Sequence, residues 1–344
     1  MSDKLPVEHK KTFVYIGKKY FFCSGKCSIS PKPYNLIFTI CTLTYDLVHT
    51  FYYINKFLHD IKITILFTSL SILQIMLALL TALVDPGSLL PSKPEKANDM
   101  FATINGKDYS LILCKTCHIL KDLRTYHCDD CGLCTIRHDH HCPWLSTCVG
   151  LNNHKYFLSF ISINTIFFGF TTCLYTYFTL PINDLKLSLI DLFFVSFLIV
   201  SNSGGFAFNV ILIYYHTYYI CTGQTTREKR KRTRLNQKEN PFELPGCFGN
   251  LKEFCCYPMR YRNRMNFNDV ATKYLYNTIL ICDYLSGNYV VTEDKKKISK
   301  TLIDKGLSYP SYLLEMANMQ PFKLDDDTSD DNSEKLTQSE SIVK

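Results

Sequence analysis

Four stretches of this chain, 36–54, 63–84, 156–180 and 192–221, run for about twenty residues or longer almost without charge. A helix rises about 1.5 Å per residue, so about twenty apolar residues cross the hydrocarbon layer of a bilayer. The windows 63–84 and 156–180 contain no charged residue, and 192–221 carries Gly204 and Gly205 near its middle. The window 36–54 is interrupted by Asp46 and His49. Buried helices of soluble proteins seldom stay uncharged over such lengths. The expectation is therefore an all-α polytopic membrane protein with four transmembrane helices. The overall hydrophobic fraction of 47% is ordinary and conceals this contrast. Asp46 and His49 lie on one helical face, and ionisable groups at that depth turn inward. A structural pair is expected there ahead of a substrate contact.

Lysine and arginine set the orientation. The segment 55–62 offers Lys56 and Lys62, and 181–191 offers only Lys186. Residues 1–33 hold seven lysines and no apolar core, so no secretory signal is expected there. Directly after the fourth window come Arg227, Lys229, Arg230, Lys231, Arg232 and Arg234. Both termini and the 85–155 segment are thus expected in the cytosol. Beside a membrane helix, a basic run reads as attraction to anionic lipid rather than to nucleic acid.

The 85–155 segment holds seven of the sixteen cysteines, all between Cys114 and Cys148. In an intracellular setting such density means metal or catalysis, not disulfides. The order is Cys114-Lys-Thr-Cys117, His127-Cys128-Asp-Asp-Cys131-Gly-Leu-Cys134, Asp139-His140-His141-Cys142, then Cys148. Two CxxC pairs are a strong zinc signal, because a tight turn aims both thiolates at one ion. Eight ligands close two tetrahedral sites. With seven cysteines and His118, His127, His138, His140 and His141 available, some residues are left over, and spacing does not say which. A purely structural zinc unit with every thiolate bound stays open at this point.

The run from Cys114 to Cys148 resembles the cysteine-rich domain of the Asp-His-His-Cys protein S-acyltransferases, the palmitoyltransferases. The likeness includes Asp139-His140-His141-Cys142, Pro143-Trp144, Cys148-Val149-Gly150 and Asn153. It implies one zinc on Cys114, Cys117, His127 and Cys134, and a second on Cys128, Cys131, His141 and Cys148. The interleaved sets would tie the segment into a knot-like unit without strands or a large apolar core. Cys142 is then the free nucleophile, His140 its base, and Asp139 the group that orients the imidazole. The implied reaction takes a fatty acyl group from palmitoyl-CoA or another long-chain acyl-CoA onto Cys142, then onto cysteines of membrane-associated proteins.

Outside the cysteine-rich run the likeness extends over roughly residues 20–262. Asp85-Pro86-Gly87 follows the second window; alone it reads as a helix-ending turn. Thr225-Thr226-Arg227-Glu228 matches a family Thr-Thr-x-Glu motif and also reads as a capping box. If the motif is more than a cap, a polar side chain is expected to brace Asp139. Asn240-Pro241-Phe242 and Gly249-Asn250 resemble a family C-terminal motif, with Leu251 where an aromatic is usual. Cys255-Cys256 resemble a pair that is itself acylated in some members. Tyr20-Phe21-Phe22-Cys23 is similar to the branch that includes yeast Ras palmitoyltransferase.

The expected division is a cytosolic segment 1–35, helices one and two in 36–84, the zinc domain in 85–155, helices three and four in 156–221, a cytosolic region 222–322, and a disordered acidic tail 323–344. Golgi or endoplasmic reticulum is the expected location, and the reading leaves room for an accessory subunit. Two rivals are a non-enzymatic zinc adaptor, which requires that Cys142 never be acylated, and a membrane-bound ubiquitin ligase. The ligase uses a different ligand order and has no need of Asp139-His140 beside an unliganded Cys142.

Overall fold

The computed structural model describes residues 14–23, 25–91, 101–104, 107–121, 123–180, 186–236, 240–256 and 266–267. The acidic tail expected over 323–344 lies outside them. The described chain opens with an antiparallel meander of β1 (Val14–Ile16), β2 (Lys19–Phe22) and β3 (Cys27–Ile29). Two long helices follow, α1 (Tyr34–Phe57) and α2 (Ile61–Leu83). Asp60 caps α2, its carboxylate accepting from the backbone N–H of Lys62 at 2.8 Å and of Ile63 at 3.2 Å.

Between α2 and the next long helix the described residues make nine short strands. These are β4 (Ser88–Leu89), β5 (Phe101–Ile104), β6 (Lys107–Ser110), β7 (Ile112–Leu113), β8 (Leu120–Lys121), β9 (Tyr126–Cys128), β10 (Leu133–Thr135), β11 (His140–Cys142) and β12 (Thr147–Val149). The chain re-enters the bundle as α3 (His154–Thr179) and α4 (Leu189–Cys221), then continues as α5 (Thr226–Arg234), α6 (Cys247–Cys256) and β13 (Asn266–Phe267). Sheets form in the orders β4-β10-β9, β11-β12, β7-β8 and β13-β5-β6. The expectation of a cysteine-rich unit without strands is therefore corrected, and all-α holds only for the bundle. The strands are two to four residues long and joined by ligand-bearing turns, too short for an alternating pattern to show.

Helices α2, α3 and α4 are long and apolar enough to cross a membrane. Their polarity is inverted relative to a soluble bundle. Ser71, Gln74, Asn164, Thr171 and Asn202 are buried, whereas Ile65, Ile72, Phe193, Phe197 and Val200 face outward. Inside, the Asn202 amide donates to Thr171 Oγ1 at 3.1 Å, and Thr50 Oγ1 and Tyr175 Oη lie 2.8 Å apart. Such bonds hold helices together where solvent gives no hydrophobic drive. Lys56, ending α1, pairs with Asp191 in the first turn of α4 at 2.6 Å.

In α1, Asp46 turns inward as expected. The expected Asp46–His49 pair does not form among the described residues; His49 instead packs its ring against Tyr45 and Phe194.

Two polar clamps close the cysteine-rich unit where it leaves and rejoins the bundle. Asp85 accepts from Gly87 and Ser88 N–H groups and from the hydroxyls of Ser28 and Ser88. Asn153 donates to Thr81 O and Cys148 O and accepts from Gly150 N. Gly150 permits this closeness, since a Cβ there would stand 2.6 Å from both Pro86 O and Thr135 Cγ2.

Candidate metal centres and active site

Each CxxC pair folds into the same tight turn. His118 N–H donates to Cys114 O at 2.8 Å, and Gly132 N–H donates to Cys128 O at 2.8 Å. The residue after each second cysteine is left-handed, His118 at φ 53° and Gly132 at φ 64°. The turns gather two groups of four: Cys114, Cys117, His127 and Cys134; and Cys128, Cys131, His141 and Cys148. These are the two sets that the family resemblance implied.

In the first group, His127 Nδ1 stands 3.6, 3.3 and 3.8 Å from the sulfurs of Cys114, Cys117 and Cys134. In the second, His141 Nδ1 stands 3.6, 3.5 and 3.7 Å from those of Cys128, Cys131 and Cys148. A tetrahedral ion with bonds of about 2.0–2.3 Å to nitrogen and sulfur gives ligand–ligand edges of this size. The donor sets fit zinc. All six cysteines are buried, as closed sites require.

One cysteine of the seven stays outside both groups. Strand β11 explains how. Successive side chains of a strand point to opposite faces, so His141 reaches the metal group while His140 and Cys142 share the other face. The partner strand agrees: His141 lies across from Cys148, and Cys142 from Thr147. Cys142 faces the bundle, packed in one apolar cluster with Leu77, Ala78, Leu145, Val149 and Phe157. Trp144 beside it is exposed, and its carbonyl accepts from Thr39 of α1 at 2.8 Å.

Beside Cys142, His140 Nδ1 lies 2.7 Å from Asp139 Oδ2. Burial disfavours the Asp139 carboxylate, but the bond to His140 and the nearby imidazoles outweigh it and hold its pKa well below the ordinary range. Burial likewise works against a charged His140, yet Asp139 and the Cys142 sulfur raise its pKa to about 10. An ionised Asp139 accepts only, so Nδ1–H donates to it and Nε2 is the ring nitrogen left for Cys142.

The Thr225–Glu228 segment sits against this pair. Thr225 and Glu228 form a full capping box at the start of α5. The Thr226 backbone N–H also donates to Asp139 Oδ1 at 2.8 Å, and Thr225 Oγ1 donates to His138 O at 3.2 Å. Cap and brace therefore coexist. The expected side-chain brace on Asp139 is corrected: the group that reaches Asp139 belongs to the main chain, which a Thr226→Ala change leaves in place.

Glu228 has a second task that sequence reasoning missed. It takes both arms of Arg124, Nε to Oε1 at 2.7 Å and one terminal nitrogen to Oε2 at 2.9 Å, with both residues buried. Glu228→Ala is expected to lower stability by about 3–5 kcal/mol, because it leaves a buried guanidinium without its compensating carboxylate. Denaturant unfolding of the two proteins side by side measures it, and a loss under about 1 kcal/mol would mean only the cap was removed.

Asn250 is buried at the far end of the same region. Its amide donates to Cys221 O, Leu244 O and Gly246 O, and its Oδ1 accepts from Leu244 N. It fastens α6 to the end of α4 and does not join the Cys142 group. A Cys221–Cys247 disulfide crosses the same junction. Cys255 is exposed on α6.

His216 of α4 was also missed. Its ring is 5.9 Å from that of His140 and 5.6 Å from that of His154, and it converges with Asp139 and His140 within 4.8 Å. A histidine inside an apolar span is itself a functional signal. A cavity of about 470 Å³ opens beside the group, lined by Asp139, His140, His216, Thr226, Arg227 and Arg230 among others.

Residues 107–233 match the family model of the DHHC palmitoyltransferases. The chain is 29% identical to palmitoyltransferase ZDHHC18-A of Danio rerio over 73% of its own length and 60% of that protein's. It is 29% identical to the probable protein S-acyltransferase 2 of Arabidopsis thaliana over 72% of its own length and 68% of the relative's. With human palmitoyltransferase ZDHHC14 it shares 29% identity over 72% of its length and 56% of the relative's. The chain thus spans between about half and two thirds of the length of these relatives. The matched residues contain both metal groups and the strand that carries Asp139 to Cys142, and residues 107–233 are thus a DHHC palmitoyltransferase domain.

Proposed function

We propose that this protein is a protein S-acyltransferase that moves a long-chain fatty acyl group, palmitoyl above all, from acyl-CoA through a Cys142 thioester to cysteines of membrane-associated proteins. One observation carries the reading: Cys142 alone among the seven cysteines lies outside both metal groups, beside a histidine bonded to a buried aspartate. The thiol proton of Cys142 passes to His140 Nε2, whose raised pKa holds it there as an imidazolium while the sulfur attacks the acyl carbonyl, and Asp139 stabilises that imidazolium. The imidazolium then protonates the departing CoA thiolate. In the second half a substrate thiol gives its proton to His140, takes the acyl group and frees Cys142. Ping-pong kinetics follow.

Zinc, held by the two groups, supplies structure rather than chemistry; His141 on one of them fixes the strand next to Cys142. Thr225, Thr226 and Glu228 hold Asp139 in place, and Asn250 fastens α6 to the end of α4. Arg227 and Arg230 give the cavity positive charge suited to the phosphates of CoA, while the acyl tail lies among the helices. In this reading α1 is a fourth span, and both termini and the zinc unit face the cytosol of an endomembrane, Golgi or endoplasmic reticulum. An accessory subunit is compatible with the scheme. The segments 1–35, 36–84, 85–155, 156–221, 222–322 and 323–344 remain its natural division.

Incubation of the purified full chain with palmitoyl-CoA tests the function. The expected result is a label on Cys142, mapped by mass spectrometry and released by neutral hydroxylamine. A label confined to Cys255 or Cys256 would overturn the mechanism.

Asp139→Asn tests the base. An amide facing Nδ1 donates a proton, which forces the other tautomer and leaves Nε2 unable to accept from Cys142. Acyl-enzyme formation is expected to slow by about 10³–10⁴-fold. The sign of the pH effect follows as well. His140 must be protonated to release CoA, and its pKa falls below about 10 when the carboxylate that raises it is gone. The alkaline limb of the rate profile therefore moves to lower pH, as stopped-flow measurement across pH 6–10 would show.

A further inference from the structure

We propose that Thr147 is a further catalytic residue, its hydroxyl donating to the oxyanion formed when Cys142 adds to an acyl carbonyl, and that Lys19 of β2 is the positioning residue that turns the hydroxyl that way. The inference rests on the acyltransferase reading and extends it to a group that neither the motif nor the metal sets include.

Thr147 is the residue directly across the ladder from Cys142. Such cross-strand neighbours project from the same face, with Cβ atoms about 4.5–5.5 Å apart. A carbonyl carried on the Cys142 sulfur therefore forms within reach of the Thr147 side chain. Both residues are buried, so a hydrogen bond made there acts in low dielectric.

Lys19 Nζ donates to Thr147 Oγ1 at 3.2 Å, and Lys19 is itself 1% exposed. An ammonium has donors only. It occupies a lone pair of the hydroxyl, and the proton of Thr147 must point elsewhere. Among the described residues no acceptor takes that proton, and the Cys142 face is where charge develops. The lysine also polarises the O–H it holds, which makes it a better donor.

The placement of Lys19 is built and not accidental. The Lys18 N–H donates to Cys131 O at 2.9 Å, and Lys18 Nζ donates to Asp129 O at 3.0 Å. Gly17 packs so closely on Leu133 that a Cβ would lie 2.6 Å from its Cγ. The meander is thus pinned to the second metal group and delivers one ammonium to the active strand. A buried cation with one neutral partner among the described residues is a poor device for stability alone. Next to a transient anion it has a use.

The step balances. The Cys142 sulfur forms a bond to the acyl carbon while its proton passes to His140. The carbonyl electron pair becomes an oxyanion that accepts from Thr147. Collapse restores the carbonyl, breaks the bond to the CoA sulfur, and the CoA thiolate takes the proton from His140.

The test compares two reactions of the same thiol in the full chain. Acylation by palmitoyl-CoA passes through an oxyanion; alkylation by iodoacetamide displaces iodide at a saturated carbon and does not. Thr147→Val, close in shape but without a hydroxyl, is expected to slow acylation about a hundredfold or more. Its alkylation rate and zinc content should match the unaltered protein, and Thr147→Ser should restore most of the acylation. Lys19→Met should slow acylation less, and add nothing in the Thr147→Val background because it works through that hydroxyl. Equal losses in both reactions, or undiminished acylation by Thr147→Val, would overturn the proposal. If Thr147→Val fails to retain zinc, Lys19→Met, which leaves β12 intact, reads the same split. Failure of the underlying function looks different: the unaltered protein would then carry no thioester on Cys142 at all.

Discussion

Cys142→Ser is expected to abolish acyl-enzyme formation, by more than about 10⁴-fold, while leaving the fold and both metal groups intact. The substitution changes one atom at a position that is buried but coordinates nothing. A hydroxyl is a far weaker nucleophile than a thiol at neutral pH, because so little of it ionises. Any ester that forms would resist neutral hydroxylamine, so the chemistry of release separates it from a thioester. Two measurements bracket the result. Metal analysis should return the unaltered zinc content, and thermal unfolding should shift by no more than a few degrees. Full hydroxylamine-labile labelling in this variant would remove Cys142 from the mechanism; residual labelling at Cys255 or Cys256 is separated by mapping.

Removal of zinc is expected to have the largest effect on stability. The binding free energy of a structural zinc site is on the order of 10–16 kcal/mol near pH 7, comparable with or larger than the net stability of a domain. Two ions per chain are expected by metal analysis. A strong chelator should collapse the cysteine-rich unit and its acylation together. Cys117→Ala and His127→Ala should lower zinc content and melt earlier. His140→Ala is the informative contrast. Its ring lies on the opposite face of β11 from His141, so it should lose activity and keep both ions. One zinc in the unaltered protein, or zinc lost with His140→Ala, would overturn the allocation.

The parts legible in the sequence were those written as runs or as fixed spacings. Three spans were readable because a bilayer asks for long uncharged stretches, which chance seldom produces. The CxxC pairs were readable because a turn of that length has few other uses, although the division of eight ligands into two sets came from the family resemblance. The short strands were hidden, since their residues are chosen for metal binding and not for alternation. Arg124 was hidden for another reason. One arginine in a polar run looks like surface, and the partners that make its burial tolerable, Glu228, Gly223 O and the Phe242 ring, lie far along the chain. Lys19 escaped notice in the same way, among seven lysines that read as cytosolic charge. The brace on Asp139 was expected from the family motif, but not its donor, because a backbone N–H leaves no mark on residue choice.

The clamp at Asn153 has a consequence for how such a protein is made. Thr81 O near the end of α2 and Gly150 N just before α3 bind the same side chain, so the whole cysteine-rich excursion begins and ends at one point. Its loop-closure entropy is then met largely by the helical hairpin beneath it. A chain that has packed α2 against α3 therefore holds the two ends of the excursion together before any metal arrives, and the metal need only order what lies between them. Metal binding is then expected to depend on the helical hairpin, so that a change such as Asn153→Ala, which removes no ligand, lowers zinc content.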